Sequence, residues 1–149
     1  SRDVFVCSEI VLPANVSPIP SVAILLDTSG SMGRSDLVLS ASEIGGIFQA
    51  LDGEASIQFL CCDSKSYGIK KISNPTEAVL IGGGGTDMRV GIREVLKEKP
   101  VPDILIVMTD GYTPWPDKNP GKMKVIVALI GSYVREEVPI WAKAIRIED

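Results

Sequence analysis

Five short apolar runs, rich in β-branched residues, constrain the fold of this chain more than any other feature. Each run is bounded by turn-forming residues. The runs lie at residues 22–26, 55–62, 69–72, 104–108 and 125–130. Segments of this length and composition are typical of strands that are covered on both faces of a sheet. We therefore predict a central β-sheet that is built from these five segments.

Two amphipathic helices are predicted between these strands. In residues 35–51, apolar side chains recur at spacings of three and four residues, as they do on the buried face of a helix. Residues 87–99 repeat this pattern, and Pro100 and Pro102 end the second helix. Alternating strands and helices favour an α/β fold with a mostly parallel sheet, right-handed crossovers and helices on both faces.

Two of the predicted strands are too close in sequence for a parallel connection. Only residues 63–68 separate the second run from the third, whereas a parallel crossover needs about a dozen residues. These strands should form a hairpin, which leaves one antiparallel strand at an edge of the sheet. Asp63 is interpreted as a hairpin residue, although it also follows the carboxyl end of the second run. Residues 9–12 and 141–147 are candidates for further short strands.

The composition argues against several classes of partner and location. The chain has 15 lysines and arginines against 19 aspartates and glutamates, a net charge of -4, and no basic cluster. This balance argues against a nucleic-acid partner or an anionic membrane surface. No apolar run approaches the roughly 20 residues that span a bilayer, and the first residues do not resemble a signal peptide. We therefore predict a soluble, cytoplasmic protein without nucleic-acid or membrane partners.

Histidine is absent from the whole sequence. Its absence excludes Ser-His-Asp and Cys-His catalytic groups and HExxH zinc sites within this chain. The three cysteines cannot all pair with one another, and we interpret the adjacent Cys61 and Cys62 as small buried hydrophobic residues. We predict that this chain alone is not an enzyme.

Polar residues follow two of the predicted strands at their carboxyl ends. Asp27, Ser29 and Ser31 come directly after the first run, in the sequence DTSGSM. Asp110 follows the fourth run. Thr86 comes after four consecutive glycines, at the start of the second predicted helix. Because ligands of open α/β sheets bind at the carboxyl ends of the strands, we expect these residues to meet there.

These side chains offer only oxygen atoms, which hard divalent cations such as Mg²⁺, Mn²⁺ and Ca²⁺ prefer. Two carboxylates about 4 Å apart repel by roughly 4 kcal/mol at an effective dielectric constant near 20. A cation should therefore lie between them, or one of them should be protonated. Arg34 and Arg89 are close enough in sequence to be rival sources of positive charge. A cation held mainly by neutral hydroxyls and water keeps much of its charge and would attract an acidic oxygen from another molecule.

The sequence DTSGS resembles the D-x-S-x-S signature of von Willebrand factor A (VWA) domains. GGGGTD and TDG stand in the order and spacing of that family's threonine and second aspartate, and the resemblance covers residues 21–130. It implies a Rossmann-like VWA fold with a metal-ion-dependent adhesion site, which captures an Asp or Glu of a protein partner. The resemblance implies that the site holds Mg²⁺, or else Mn²⁺ or Ca²⁺. Ser29, Ser31 and Thr86 would be ligands of the ion. Asp27 and Asp110 would bind it directly or through water.

A narrower resemblance concerns GGGGTD together with TDGYTPWP. These motifs are similar to the VWA-like C-terminal domain of a family of predicted bacterial metallopeptidases. The chain lacks the peptidase region of the longer members, so peptidase activity is not carried over to it. We interpret residues 1–149 as a single VWA-like domain, with an extended lead-in at 1–20, excised from a longer chain. The alternative is an accessory or regulatory domain that binds an AAA-type ATPase or its own N-terminal domain without metal-dependent adhesion.

Three residues near the predicted site are candidates for partner contacts. Tyr112 and Trp115 follow Asp110 in a proline-stiffened loop, and aromatic residues at the rim of a site often anchor partners. Trp115 could instead cover one end of the core. We interpret Thr86 as the N-cap of the second helix, and Asp87 as a first-turn acid that also could touch the site through water.

Overall fold

The computed structural model describes residues 3–7, 10–13, 20–51 and 57–147 of the chain. Strands β1 (Asp3–Cys7) and β2 (Ile10–Pro13) pair antiparallel in a two-stranded sheet of their own. The candidate strand at 9–12 therefore has its partner in β1 and does not extend the central sheet. The predicted extended lead-in at residues 1–20 thus contains two paired strands. Its residues 1–2, 8–9 and 14–19 lie outside the described residues, as do residues 55–56 of the second predicted strand.

The described residues contain a six-stranded central sheet with the order β5-β4-β3-β6-β7-β8. Strand β5 pairs antiparallel with β4, and the other neighbours in the sheet pair parallel. This arrangement confirms the predicted mostly parallel sheet with one antiparallel edge strand. The strands are β3 (Val22–Asp27), β4 (Ile57–Cys62), β5 (Lys70–Ile72), β6 (Ile104–Thr109), β7 (Lys124–Ile130) and β8 (Ala142–Ile147).

Helices α1 (Arg34–Ala50) and α2 (Met88–Leu96) lie within the described residues, with a short 3₁₀ turn at Pro75–Glu77. Helix α2 ends three residues before the predicted position. Its last turn tightens, because the Lys97 amide donates to the Glu94 carbonyl, and the residue before Pro100 is disfavoured in the helical conformation. Neither helix has the length and apolar character that would let it cross a membrane, so far as the described residues extend.

The two helices cover opposite faces of the central sheet. Successive side chains of a strand point to opposite faces, so Ile24 packs with the α1 side of the core and Leu25 with the α2 side. Burying a side chain of this size completely contributes roughly 1.5–3 kcal/mol. Gly91 allows α2 to approach closely, because a Cβ atom at this position would collide with the Leu25 side chain. The prediction of helices on both faces is confirmed.

The strand order reverses next to β3. The chain passes from β3 outward to β4 and β5, and then returns to the other side of β3 to form β6. In open α/β sheets a reversal of this kind opens a crevice at the carboxyl ends of the strands, where ligands bind. We call the region formed by the C-terminal ends of β4, β3 and β6 the carboxyl end of the sheet.

Candidate metal centre

Asp27, the last residue of β3, is fully buried at the carboxyl end of the sheet. Its Oδ1 atom accepts a hydrogen bond of 2.9 Å from the Ser29 amide. Its Oδ2 atom accepts a hydrogen bond of 2.6 Å from the Thr109 hydroxyl. Asp27 therefore connects the loop that follows β3 to the end of β6.

The two serines of the DTSGSM loop face each other. Their hydroxyl oxygens are 3.2 Å apart. Ser29 is buried, whereas Ser31 is exposed. Two hydroxyl oxygens at this separation offer a pair of neutral oxygen atoms of the kind that hard divalent cations accept as ligands. The structure thus brings Ser29 and Ser31 together as the sequence predicted.

Asp110 follows β6 and is also buried. Its Oδ1 atom accepts a hydrogen bond of 3.1 Å from the Tyr112 amide. Thr109, directly before it, donates to Asp27 and accepts from the Gly111 amide at 3.1 Å. Sequence reasoning missed Thr109, because a threonine at the end of an apolar run carries no local sign of a partner 82 residues away. Its position next to Asp110 in the TDG motif was the available signal.

The charge state of Asp27 depends on its burial and on its polar and charged neighbours. Burial raises the pKa of Asp27, and the hydrogen bonds from Ser29 and Thr109 oppose this effect. The nearby Asp110 raises the pKa of Asp27 further. Within residues 20–51 and 57–147, no ion pair involves either acid. The rival Arg89 instead pairs with Asp87 at 2.9 Å.

The four glycines at residues 82–85, which we call the glycine loop, lie directly against the DTSGSM loop. The Gly83 amide donates to the Thr28 carbonyl at 2.8 Å, and the Gly30 amide donates to the Gly84 carbonyl at 2.9 Å. Gly82 has a φ of 158°, and a Cβ atom there would collide with Thr28. Gly82 is therefore required for the close approach of the two loops.

Asp63, the first residue after β4, organises the other side of the glycine loop. It is buried, and its Oδ2 atom accepts hydrogen bonds from the Tyr67 hydroxyl at 2.8 Å and the Gly84 amide at 3.0 Å. Its Oδ1 atom accepts from the Lys65 amide at 2.9 Å. Asp63 belongs to the hairpin, as predicted, and it also reaches the carboxyl end of the sheet.

Thr86 lies between the glycine loop and α2, and it is not the N-cap of the helix. The N-cap is Asp87, whose Oδ1 atom accepts a hydrogen bond of 3.1 Å from the Arg89 amide. The hydrogen bond and ion pair with Arg89 lower the pKa of Asp87, although burial opposes this effect. These contacts direct the Asp87 carboxylate toward α2. The half-buried Thr86 hydroxyl makes no hydrogen bond within the described part of the chain.

The aromatic loop after Asp110 forms one wall of a cavity of about 520 Å³. Tyr112 is half exposed, and Trp115 both lines the cavity and packs against the α2 side of the core. The opposite wall contains Arg135, whose amide donates to the Asp110 carbonyl at 2.8 Å. Both walls are thus attached to Asp110, and the two interpretations of Trp115 are compatible.

The donor set fits a hard divalent cation. It consists of two buried carboxylates and of hydroxyl groups, all with oxygen atoms, at the switch point of the sheet. Among the described residues, no three Asp, Glu, Cys or His side chains lie together in a metal-binding group. A centre built on this edge would therefore depend on its hydroxyl ligands rather than on a cluster of acids.

A mostly parallel α/β sheet of this topology, with the D-x-S-x-S loop and the second aspartate on adjacent strands, defines the chain as a VWA-like domain. The chain belongs to the family described as VWA-like domain (DUF2201), whose model matches residues 22–148. No match was found among the curated proteins.

Two solved structures resemble this chain at low sequence identity. An aerotolerance-related membrane protein from Bacteroides fragilis is 19% identical, with a TM-score of 0.58 over 75% of this chain and 68% of that protein. The conserved hypothetical protein BatB from Bacteroides thetaiotaomicron is 18% identical, with a TM-score of 0.49 over 73% of this chain and 65% of that protein. At these identities the similarity to the first structure concerns the fold alone.

Proposed function

We propose that this domain is a protein-binding module that holds a divalent cation, Mg²⁺ in the first place, and captures an acidic residue of a protein partner. The observation that carries the proposal is the pairing of Asp27 and Asp110. Both acids are buried at the ends of adjacent strands, burial and to a smaller extent Asp110 raise the pKa of Asp27, and no ion pair within residues 20–51 and 57–147 neutralises them. A cation would offset this repulsion.

The proposed ligands divide into inner and outer groups by their charge and by the hydrogen bonds that they already make. Ser29, Ser31 and Thr86 supply neutral hydroxyls, whereas Asp27 is committed to hydrogen bonds from the Ser29 amide and the Thr109 hydroxyl. Asp27 would therefore orient the loop and balance charge. A bound cation with mostly neutral ligands would supply a positive charge at the surface, which favours an Asp or Glu of the partner as the final ligand.

The surface around the site supports a protein partner. Tyr112 is 50% exposed on one side, and Val79, Leu80 and Ile81 are exposed apolar residues directly before the glycine loop. Exposed apolar residues that adjoin one another are typical of interaction surfaces. Tyr112 and Trp115 remain the proposed partner contacts. Asp87 is a weaker candidate, because Arg89 already pairs with its carboxylate.

We further propose that the domain acts in the cytoplasm without catalysis, as part of a longer metallopeptidase-like protein. The motif TDGYTPWP supports the metallopeptidase-like context, and the absence of histidine supports a role of this chain without Ser-His-Asp, Cys-His or HExxH chemistry. In the alternative form of the proposal, the domain contacts an AAA-type ATPase or its own N-terminal domain without a metal ion. A partner that binds equally well in the presence of a chelator would favour that form.

The direct test is isothermal titration of chelator-stripped protein with Mg²⁺ and with Mn²⁺. Saturable binding of one ion per chain is expected for the wild type and for Asp117→Ala, which removes an exposed acid. Asp27→Ala should abolish the heat of binding while the far-UV circular dichroism spectrum stays unchanged. If the wild type binds neither ion, the metal-dependent form of the proposal is wrong.

A further inference from the structure

Asp63 makes two hydrogen bonds that lie on either side of Thr86. Its carboxylate accepts from the Gly84 amide at 3.0 Å, two residues before Thr86. Its backbone carbonyl accepts from the Asp87 amide at 2.7 Å, one residue after Thr86. One residue at the end of β4 thus fixes the chain on both sides of a proposed metal ligand on a different segment.

Gly84 extends this connection to the serine loop. Its amide donates to Asp63, and its carbonyl accepts from the Gly30 amide at 2.9 Å. Gly30 lies between Ser29 and Ser31 in the sequence. The peptide units around Gly84 therefore link the segment of Thr86 to the loop of the two serines.

Tyr67 fixes the Asp63 carboxylate from the opposite side. Its hydroxyl donates to the same Oδ2 atom at 2.8 Å, and its ring packs against the α1 side of the core. The Lys65 amide holds the Oδ1 atom at 2.9 Å. A carboxylate with three donors from separate positions has little freedom to rotate, so it can act as a rigid anchor.

We propose that Asp63, held by Tyr67, is a positioning residue of the metal centre, which sets the place of Thr86 relative to Ser29 and Ser31. This inference rests on the proposed function, because it assigns Asp63 a role toward the same cation. Asp63 does not itself serve as a ligand, since its oxygen atoms are occupied by the amides of Lys65 and Gly84 and by the Tyr67 hydroxyl. Residues behind the ligands commonly change metal affinity 10–100-fold when they are mutated.

The test compares Mn²⁺ affinity in the full chain for the wild type, Asp63→Asn and Tyr67→Phe. Tyr133→Phe is the matched control, because it removes a hydroxyl from a tyrosine that is 88% exposed. We expect Asp63→Asn to weaken Mn²⁺ binding at least about tenfold. Tyr67→Phe should weaken it less, and Tyr133→Phe should not change it. Thermal unfolding in chelator checks that each variant is folded, and Tyr67→Phe carries the test if Asp63→Asn does not fold.

A double-mutant cycle with Thr86→Val separates positioning from general loosening of the fold. If Asp63 acts through Thr86, adding Asp63→Asn to Thr86→Val should weaken Mn²⁺ binding by no more than about twofold. If the loss of Mn²⁺ affinity in the double variant equals the product of the losses in Asp63→Asn and Thr86→Val, Asp63 does not act through Thr86. Unchanged Mn²⁺ affinity in both Asp63→Asn and Tyr67→Phe would overturn the positioning role altogether.

Amide hydrogen exchange, together with Mn²⁺ binding, distinguishes a failure of the positioning role of Asp63 from a failure of the proposed metal-binding function. In chelator, Asp63→Asn should speed exchange at Gly84 in any case, because the acceptor of that amide is weakened. Wild-type protein that binds no Mn²⁺ would overturn the metal centre and, with it, the positioning role. Wild-type protein that binds Mn²⁺, together with faster exchange at Gly84 but unchanged affinity in Asp63→Asn, would overturn the positioning role alone.

Discussion

Asp27 and Asp63 end up at the carboxyl ends of the neighbouring parallel strands β3 and β4, where both are almost completely buried. Their surroundings shift their pKa values in opposite directions. Burial raises the pKa of Asp27, and Asp110 adds to the increase. Burial would also raise the pKa of Asp63, but hydrogen bonds from Lys65, Tyr67 and Gly84 outweigh it and lower the pKa.

The opposite pKa shifts distinguish an acid whose negative charge is stabilised by the chain itself from an acid whose negative charge is stabilised only in part. The ionised form of Asp63 is satisfied by donors of its own chain, and those donors connect the hairpin to the glycine loop. The ionised form of Asp27 has fewer donors and a second acid nearby. Its negative charge is therefore balanced only partly by the described residues, which is the expected condition of an acid that adjoins a cation site.

The sharpest test of this contrast is Asp27→Asn, which removes the charge and keeps the shape. Metal affinity should fall at least about a hundredfold, because one interaction between unit charges about 4 Å apart is worth roughly 4 kcal/mol at an effective dielectric constant near 20. Stability in chelator should stay within about 1 kcal/mol of wild type or rise, since the buried charge has been removed. The oxygen of the asparagine can still accept from the Ser29 amide, and the Thr109 hydroxyl can accept from its nitrogen. Titration with Mn²⁺ and urea unfolding measure the two effects. A large loss of stability would make Asp27 a structural acid like Asp63.

Asp63→Asn, in contrast to Asp27→Asn, should clearly lower the stability of the metal-free protein. The side-chain nitrogen of an asparagine donates and cannot accept a hydrogen bond, whereas its oxygen still accepts. One orientation of the asparagine therefore leaves the Lys65 amide without an acceptor, and the other leaves the Gly84 amide without one. Each lost bond to a charged group costs roughly 1.5–3 kcal/mol, so unfolding in chelator should become easier by about 2 kcal/mol. Asp117→Asn, at an exposed acid, should be neutral in the same urea titration. Equal stability of Asp63→Asn and Asp117→Asn would show that the hydrogen bonds of Asp63 do not stabilise the fold.

The fold was accessible from the sequence because it depends on local patterns, and the same patterns predicted the candidate ligands. Apolar runs predicted the strands from β3 to β7, and the short connection at 63–68 predicted the hairpin. Polar residues directly after two of the runs predicted that Asp27 and Asp110 would meet, since parallel strands end on the same side. Each strand and the acid that follows it are neighbours in the sequence, and the parallel arrangement of the strands then places the two acids at the same end of the sheet.

The residues that hold the site together were not accessible in this way. The hydrogen bond of Thr109 with Asp27 spans 82 residues, and that of Gly84 with Asp63 spans 21. No spacing rule connects such positions, because register and loop packing set the contacts. The N-cap of α2 also required the structure, since Thr86 and Asp87 are both good capping residues and only the backbone conformation selects Asp87.

Thr109→Val tests the Asp27 side of the comparison with a smaller change. The variant keeps the shape but removes the hydroxyl that donates to Asp27 and accepts from the Gly111 amide. We expect a loss of stability of about 1–3 kcal/mol in chelator, because a buried amide loses its acceptor. Metal affinity should change less than in Asp27→Asn, since the carboxylate remains. Thr109→Ser, which retains the hydroxyl, is the control, and a loss of metal binding as complete as that of Asp27→Asn would assign Thr109 a direct role.

The pH dependence of stability is the smallest expected effect. It tests whether the ionised form of Asp63 stabilises the fold. A folded-state pKa below that of the unfolded chain, about 3.9, means that the ionised form stabilises the fold. This contribution is complete above the unfolded pKa and is lost as the pH falls through the lower folded pKa. The difference in unfolding free energy between wild type and Asp63→Asn should therefore be constant from about pH 5 to 7 and shrink below about pH 4. Urea unfolding of metal-free protein at several pH values measures this difference, and growth of the difference at low pH would show that the protonated carboxyl is the stabilising form.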